Sequence, residues 1–293
     1  VSAAEDFAGL PPLNVPALLQ RFGLHPTKRL GQNFLTDEGA IRRILEAAGL
    51  THQETVLEIG PGLGSLTRHL AMRARQVVAV ELDAALWPAL QHVLSQFPNV
   101  RLIQGDILAL DPARLAAGDD AESEPAETLE YLVVANIPYY ITSALVRHLL
   151  EASQQPRRLV LTVQREVAER ICAAPGELSL LGLSVQVYGR PRIAARIPAG
   201  AFYPSPKVDS AVVRVDTHPA PLFNPIELKR FFRLARAGFS QKRKTLRNAL
   251  AGGMHWTPAQ AETILLAAGI EPRRRAETLS LEEWRRLVKA VPG

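Results

Sequence analysis

TVLEIGPGLGS occupies residues 55–65. The apolar, partly β-branched run TVLEIG (55–60) predicts a strand. Gly60, Gly62 and Gly64 let the backbone turn sharply and come close to a ligand with no side chain in the way. SLTRHLAMRA (65–74) has helical spacing and follows at once. The start of that helix offers free N–H groups to a negatively charged partner. A strand, a glycine turn and a helix therefore open an α/β unit.

The alternation continues on both sides. Residues 36–49, TDEGAIRRILEAAG, predict a helix capped by Thr36 or Asp37, with Ile41, Ile44, Leu45 and Ala48 on its apolar face. Strands are expected at 76–82, 100–106, 131–136 and 158–164, with helices at 84–96, 141–153 and 165–173. Such alternation implies parallel strands joined by right-handed crossovers, the doubly wound class. RIAARIP (192–198) and SAVVRVD (210–216) predict a closing antiparallel pair, and LSLLGLSVQVYG (178–189) is ambiguous between helix and strand. Beyond Pro219 and Pro221 the pattern is purely helical. Three segments are expected: an N-terminal arm at 1–27, loose but for one short helix, a catalytic α/β domain at 28–220, and a small all-α C-terminal domain at 221–293. Residues 118–127, GDDAESEPAE, predict an acidic loop outside the core.

Composition narrows the class. The chain has 293 residues, 47% hydrophobic and 22% charged, ordinary for a globular protein. No run approaches the ~18 apolar residues of a membrane helix, and the N-terminus does not read as a signal peptide. The single cysteine, Cys172, excludes an internal disulfide and a cysteine-based zinc cluster. A cytoplasmic monomer with no metal and no membrane contact is the expectation. Charge is uneven: residues 218–293 hold 14 Lys and Arg against 6 Asp and Glu, and residues 1–217 hold 20 against 23. A basic lobe on a near-neutral body is a footprint of nucleic-acid binding, although a solvated helical surface gives the same counts.

The strand after the glycine turn ends in Glu81, 21 residues beyond Gly60. A carboxylate there can accept both ribose hydroxyls of an adenosine. The next strand ends in Gly105-Asp106, an acceptor for an adenine amine. The glycines run G-x-G-x-G rather than the G-x-G-x-x-G of a nicotinamide site, and no phosphate-binding P-loop motif is present. A glycine turn with no ligand is the plain alternative, but it leaves two acids at successive strand ends unexplained. Together these features resemble the class I S-adenosyl-L-methionine-dependent methyltransferases, Rossmann-like and mostly parallel with a closing antiparallel strand.

The strand at 131–136 runs apolar into Asn136-Ile137-Pro138-Tyr139. In a doubly wound fold that strand end faces the ligand crevice. The lone pair of an adenine 6-amino group is delocalised into the ring, so the nitrogen is a poor nucleophile. The Asn136 amide oxygen and a nearby backbone carbonyl can accept its two hydrogens and turn the lone pair toward a methyl group. Acceptors are needed here, not a general base. Pro138 stiffens the turn, and Tyr139 offers a flat face to a flipped base. A half-buried strand-end turn is the structural alternative.

From about residue 28 onward the chain resembles the small-subunit ribosomal RNA adenine dimethyltransferases. The matching stretches are KRLGQNFL (28–35), LEIGPGLGSLT (57–67), VELD (80–83), GD (105–106), NIPYYI (136–141), VQREVAER (163–170), AFYPSPKVDSAVVRV (201–215) and GFSQKRKTLRNAL (238–250). The resemblance implies that two adjacent adenosines near the 3′ end of small-subunit rRNA each receive two methyl groups, during maturation of the immature small ribosomal subunit. It places Asn33 and Leu35, with Gln32 as a further contact, in the cofactor pocket beside Gly60, Glu81, Asp106 and Asn136. It makes Asn136, Pro138, Tyr139 and Phe202 the base-handling set, with Phe202 closing the side opposite Tyr139. Lys242, Arg243, Lys244 and Arg247 would meet rRNA phosphates, making binding salt-dependent. Two positions depart from the family: Tyr140, where a small polar residue such as Asn is more usual, and Ser205, where Pro is. Two related readings stay open, a large-subunit rRNA adenine methylase of the macrolide-resistance type and a non-catalytic rRNA-binding assembly factor. A nicotinamide oxidoreductase is remote.

Overall fold

Strand β2 (Thr55–Ile59) is buried along its whole length, as a strand covered on both faces must be. It is an interior strand, third in order, of a seven-stranded sheet. The structure is a computed structural model that describes residues 10–118 and 130–292, so the acidic segment expected at 118–127 lies outside it from residue 119 onward. The other strands are β3 (Gln76–Glu81), β4 (Val100–Gln104), β5 (Tyr131–Asn136), β6 (Arg158–Gln164), β7 (Gly189–Ile197) and β9 (Ser210–Thr217), in the order β4-β3-β2-β5-β6-β9-β7. The neighbours from β4 to β6 pair in parallel, and β9 closes antiparallel on β6, Leu161 opposite Val213. A separate two-stranded ladder joins β1 (Phe34–Leu35) to β8 (Phe202–Tyr203). The doubly wound sheet with an antiparallel closing strand is the one expected.

The chain moves outward from β2 through β3 to β4, then returns to lay β5 against the other side of β2. That reversal opens a crevice at the strands' carboxyl ends, the usual ligand position in open α/β sheets. Gly60 and Asn136 end the two strands that flank it. A Cβ built on Gly60 would lie 3.9 Å from the Asn136 carbonyl oxygen.

Helices cover the sheet. In α2 (Glu38–Ala48), Asp37 caps the start by accepting from the Ala40 N–H at 2.6 Å, and Gly49 ends it at φ 60°. Its Ile41, Ile44 and Leu45 pack with Leu66 and Leu70 of α3 (Ser65–Ala71) and with Val56, Val134 and Val160 of the sheet. The expected helix at 84–96 is a 3₁₀ turn followed by α4 (Trp87–Leu94), which begins where Pro88 is tolerated, in the first turn. Within the expected arm, α1 (Val15–Arg21) is packed rather than loose: Val15 and Leu19 are buried with Phe34, Leu63 and Leu86. The crevice side of β5 continues into α6 (Thr142–Leu150). No helix among the described residues is long and apolar enough to cross a membrane.

The chain divides into two compact units. One holds the described residues up to Ala168 together with Arg192–Thr217; the other holds Glu169–Pro191 and the described residues from His218. Contiguous bounds at 28–220 and 221–293 therefore differ from the observed division in the segment Glu169–Pro191. The reason is packing: the ambiguous stretch folds as α8 (Leu180–Gln186), and its Leu183 lies with Val187 in the core of the second unit. That core gathers Phe231 and Leu234 of α9 (Pro225–Phe239), Leu246 and Leu250 of α10 (Leu246–Met254), Leu265 of α11 (Pro258–Ala267) and the fully buried Trp284 of α12 (Leu281–Ala290). Reciprocal capping boxes start three of these helices: Asn224 with Glu227, Thr257 with Gln260, and Ser280 with Glu283.

Candidate active site

A pocket of about 1020 Å³, counting the space at its open mouth, lies at the carboxyl ends of β2, β3 and β5, within the first unit. The turn after β2 forms one wall. Gly60, Gly62 and Gly64 all take positive φ, 70°, 60° and 84°. Gly62 is the tightest of them: a Cβ there would come within 3.0 Å of the Phe34 ring. Only glycine meets both demands cheaply.

Glu81 ends β3 on the opposite wall and is buried. Its two oxygens accept from the Gly62 N–H at 3.0 Å and the Asp83 N–H at 2.9 Å. Those bonds tie the glycine turn to β3 and leave each oxygen a second lone pair. Burial lifts the Glu81 carboxyl above its ordinary range, and the two backbone donors pull it partly back. Beyond β4, Asp106 is exposed at the pocket edge and caps the next turn through one oxygen, 2.9 Å from the Leu108 N–H. The other oxygen is left for a ligand.

On the third side, Asn136 donates from its side-chain amide to the Asn33 carbonyl at 3.1 Å. Asn33 in turn donates to the Gly31 carbonyl at 3.1 Å. These bonds fix the segment before β1 against the end of β5 and fix the sense of the Asn136 amide, whose oxygen stays an acceptor. Tyr139 opens a 3₁₀ turn, Tyr139–Ile141, and its hydroxyl shares a 2.7 Å hydrogen bond with the buried Ser210. Thr142 donates to the Tyr139 carbonyl at 3.1 Å. Burial raises the Tyr139 phenol, so the ring stays neutral.

The structure brings Asn33, Leu35, Gly60, Glu81, Asp106, Asn136, Pro138 and Tyr139 to one pocket. Phe202 is placed elsewhere. It pairs with Leu35 in the β1–β8 ladder, is 4% exposed and packs into the core, while its neighbour Tyr203 is 42% exposed. Side chains alternate along a strand, so one of two adjacent aromatics had to turn inward. Gln32 lines the pocket but spends its amide on the Asp83 carboxylate at 2.6 Å and the Thr27 N–H at 2.7 Å. Lys242, Arg243 and Lys244 are exposed in the turn between α9 and α10 of the second unit. Arg247 is half-buried and pairs with Glu262 at 3.1 Å.

Glu58 is a residue that sequence reasoning passed over. It sits inside β2, is 1% exposed, lines the pocket, and its Oε2 has no hydrogen-bond partner among the described residues. Burial pushes its carboxyl up to about 8; the Thr67 hydroxyl pulls it down and the charge of Glu81 pushes it further up. At neutral pH Glu58 therefore holds its proton, which spares the neighbouring Glu81 a second buried charge beside it. The available signal was a carboxylate inside an otherwise apolar buried strand.

Comparison with known proteins agrees with this geometry. The family model described as ribosomal RNA adenine dimethylase matches residues 24–291. A ribosomal RNA small subunit methyltransferase A of Dehalococcoides mccartyi is 46% identical over 281 residues, covering 95% of this chain and 94% of the relative. That of Moorella thermoacetica is 44% identical, covering 92% and 93%. Among solved structures, the 23S rRNA methyltransferase ErmE is 31% identical with a TM-score of 0.70, covering 88% of this chain and 99% of the other. A dimethyladenosine transferase from Plasmodium falciparum has the same fold, with a TM-score of 0.71 at 22% identity over 87% and 95% of the two chains. With the family model and both close relatives spanning nearly its whole length, the chain belongs to the ribosomal RNA adenine dimethylase family.

Proposed function

We infer that this protein transfers methyl groups from S-adenosyl-L-methionine to the 6-amino groups of two adjacent adenosines near the 3′ end of small-subunit rRNA, acting on the immature subunit in the cytoplasm as a monomer. The observation that carries this reading is the pinned Asn136 amide. Its N–H₂ is committed to the Asn33 carbonyl, and its oxygen is left as an acceptor at the strand end that flanks the glycine turn.

The pocket residues fit the proposed cofactor. Glu81, with lone pairs to spare on both oxygens, holds ribose hydroxyls. Asp106 takes the adenine amine. Glu58 supplies a buried, protonated carboxyl whose Oε2 has no partner among the described residues. Asn33, Leu35 and Gly60 complete the walls. When bound, the cofactor supplies an electrophilic methyl group. The protein's part is to orient the acceptor. Asn136 accepts an amine hydrogen, which draws the nitrogen out of conjugation and turns its lone pair toward the methyl donor. Tyr139, held by Ser210, stacks on the base, and Pro138 fixes the turn between them. Positioning of two bound reactants supplies much of the rate. Phe202 acts from beneath, supporting β1 rather than touching the base. Lys242, Arg243 and Lys244 bind phosphate; Arg247 joins them only by giving up Glu262.

The deciding experiment offers labelled methyl donor to unmodified small and large ribosomal subunits and maps the modified nucleotides. Four methyl groups on one adenosine pair of the small subunit are expected. Label confined to the large subunit would assign the chain to the resistance-type enzymes, and no transfer to either would leave only an assembly role.

A further inference from the structure

Two tyrosines stand side by side at the pocket, and only one is accounted for. Tyr139 is half-buried with its hydroxyl bound to Ser210. Tyr140 is 59% exposed, lines the pocket mouth, and its hydroxyl has no hydrogen-bond partner among the described residues. Both lie in the 3₁₀ turn Tyr139–Ile141. Successive side chains in a 3₁₀ helix point about 120° apart, at three residues per turn. One ring is therefore directed inward and the next outward from the same short turn.

Tyr140 stands over a glycine of the segment that precedes β1. A Cβ added to Gly31 would lie 3.5 Å from Cδ1 and 3.6 Å from Cε1 of its ring, so the ring stands over Gly31 with room for one methyl group between ring and backbone. Gly31 takes φ 61°, and its carbonyl is tied to the Asn33 side chain. The residue beneath the ring is thus part of the bonded segment that also anchors Asn136. A large aromatic face exposed at a pocket rim offers a planar surface on which a base can stack.

Drawing one adenosine out of an RNA strand strips a stacking partner from its neighbour. Bases without partners are commonly covered by aromatic side chains. We propose that Tyr140 is a positioning residue that stacks on the nucleotide next to the target, so that the second adenosine of the pair rests on the pocket rim while the first occupies the pocket. The proposal rests on the functional reading above, in which the two targets are adjacent. It gives one turn two duties: Tyr139 handles the reacting base and Tyr140 its neighbour.

The test uses the full-length protein and small ribosomal subunits that lack the methyl groups, with transfer to each adenosine resolved by mass spectrometry. Tyr140→Ala is expected to lower kcat/KM for subunits roughly 10-fold, the scale of one base–aromatic stack. Tyr140→Phe, which keeps the ring, is expected to restore it. Cofactor affinity, measured by calorimetry, is unchanged in both. On subunits whose neighbouring adenosine is replaced by an abasic nucleotide, the penalty of Tyr140→Ala disappears. Wild-type activity in Tyr140→Ala, equal impairment of the Phe and Ala variants, or a penalty that persists opposite the abasic site each overturns the proposal while leaving the functional reading intact. Small subunits left unmethylated by the wild-type protein overturn both.

Discussion

At the residue scale, Asn136 and Glu58 carry the sharpest consequences. Asn136 has one observed bond and one proposed in a single amide: it donates to the Asn33 carbonyl, and its oxygen is the proposed acceptor for the substrate amine. Asn136→Ala removes both and is expected to slow single-turnover transfer by about 10²–10³-fold, the usual cost of losing one oriented hydrogen-bond partner at a reacting atom. Asn136→Asp keeps acceptors but sets a carboxylate against the Asn33 carbonyl, so it is expected to fail as well. A near-wild-type rate in the alanine variant would remove Asn136 from the chemistry. Glu58 makes a prediction that needs no substrate. Its folded pKa is about 8 against an ordinary 4.5, so between those values the unfolded chain has released the proton and the folded chain keeps it. Stability contributed by this site therefore falls as pH rises through that window, by up to ~1.4 kcal/mol per pH unit. Glu58→Gln does not titrate, and its urea-unfolding midpoint should decline less between pH 5 and pH 8 than that of the wild type. Equal declines would show that Glu58 is not the buried proton carrier.

At the scale of elements, the glycine turn links β2 to β3 through the Gly62 N–H and Glu81. Gly62→Ala meets two obstacles, a left-handed backbone and a Phe34 ring 3.0 Å from the new Cβ. The backbone alone costs roughly 1–2 kcal/mol, and displacing Phe34 disturbs β1 as well. Cofactor affinity measured by calorimetry is expected to fall by at least ~10-fold, the equivalent of 1.4 kcal/mol; unchanged affinity would mean that the turn relaxes freely. The same elements show what a sequence can and cannot disclose. Parallel strands buried on both faces are continuous apolar runs, so β5 and β6 were legible to the residue. Asn136 was legible because it breaks such a run at its end. Glu58 breaks one two residues before Gly60 and was passed over, because alternation alone would let it point to solvent. In 178–189 the apolar content satisfies both periods, and only packing around Leu183 made it a helix. Phe202 was recognisable as part of the site region, but its direction depends on its register opposite Leu35, which no local pattern encodes.

At the scale of the whole molecule, the division into two units matches a division of charge. The pocket belongs to the first unit, and the ionisable side chains of Glu58, Glu81 and Asp106 that line it are carboxyls. The excess of positive charge lies in residues 218–293, the larger part of the second unit. Within it, Arg274 is bound to Glu283 and Arg247 to Glu262, so part of that excess is spent on holding helices together. Lys242, Arg243 and Lys244 are different: they sit exposed in a turn, and none of their side chains forms an ion pair among the described residues. Their replacement by glutamine should leave folding untouched, because exposed charges of this kind add little stability. It should weaken RNA binding uniformly across sequences, because phosphate contacts carry no base information. Each phosphate contact contributes roughly 0.7–0.9 to the slope of log affinity against log salt, so losing three should flatten that slope by about 2–3. Titrating small-subunit rRNA with the wild-type protein and the triple variant over a range of salt measures the difference directly. A slope that does not change would place the phosphate contacts on other residues, whereas a flattened slope with unaltered cofactor affinity would assign electrostatic capture of the RNA to the second unit and the chemistry to the first.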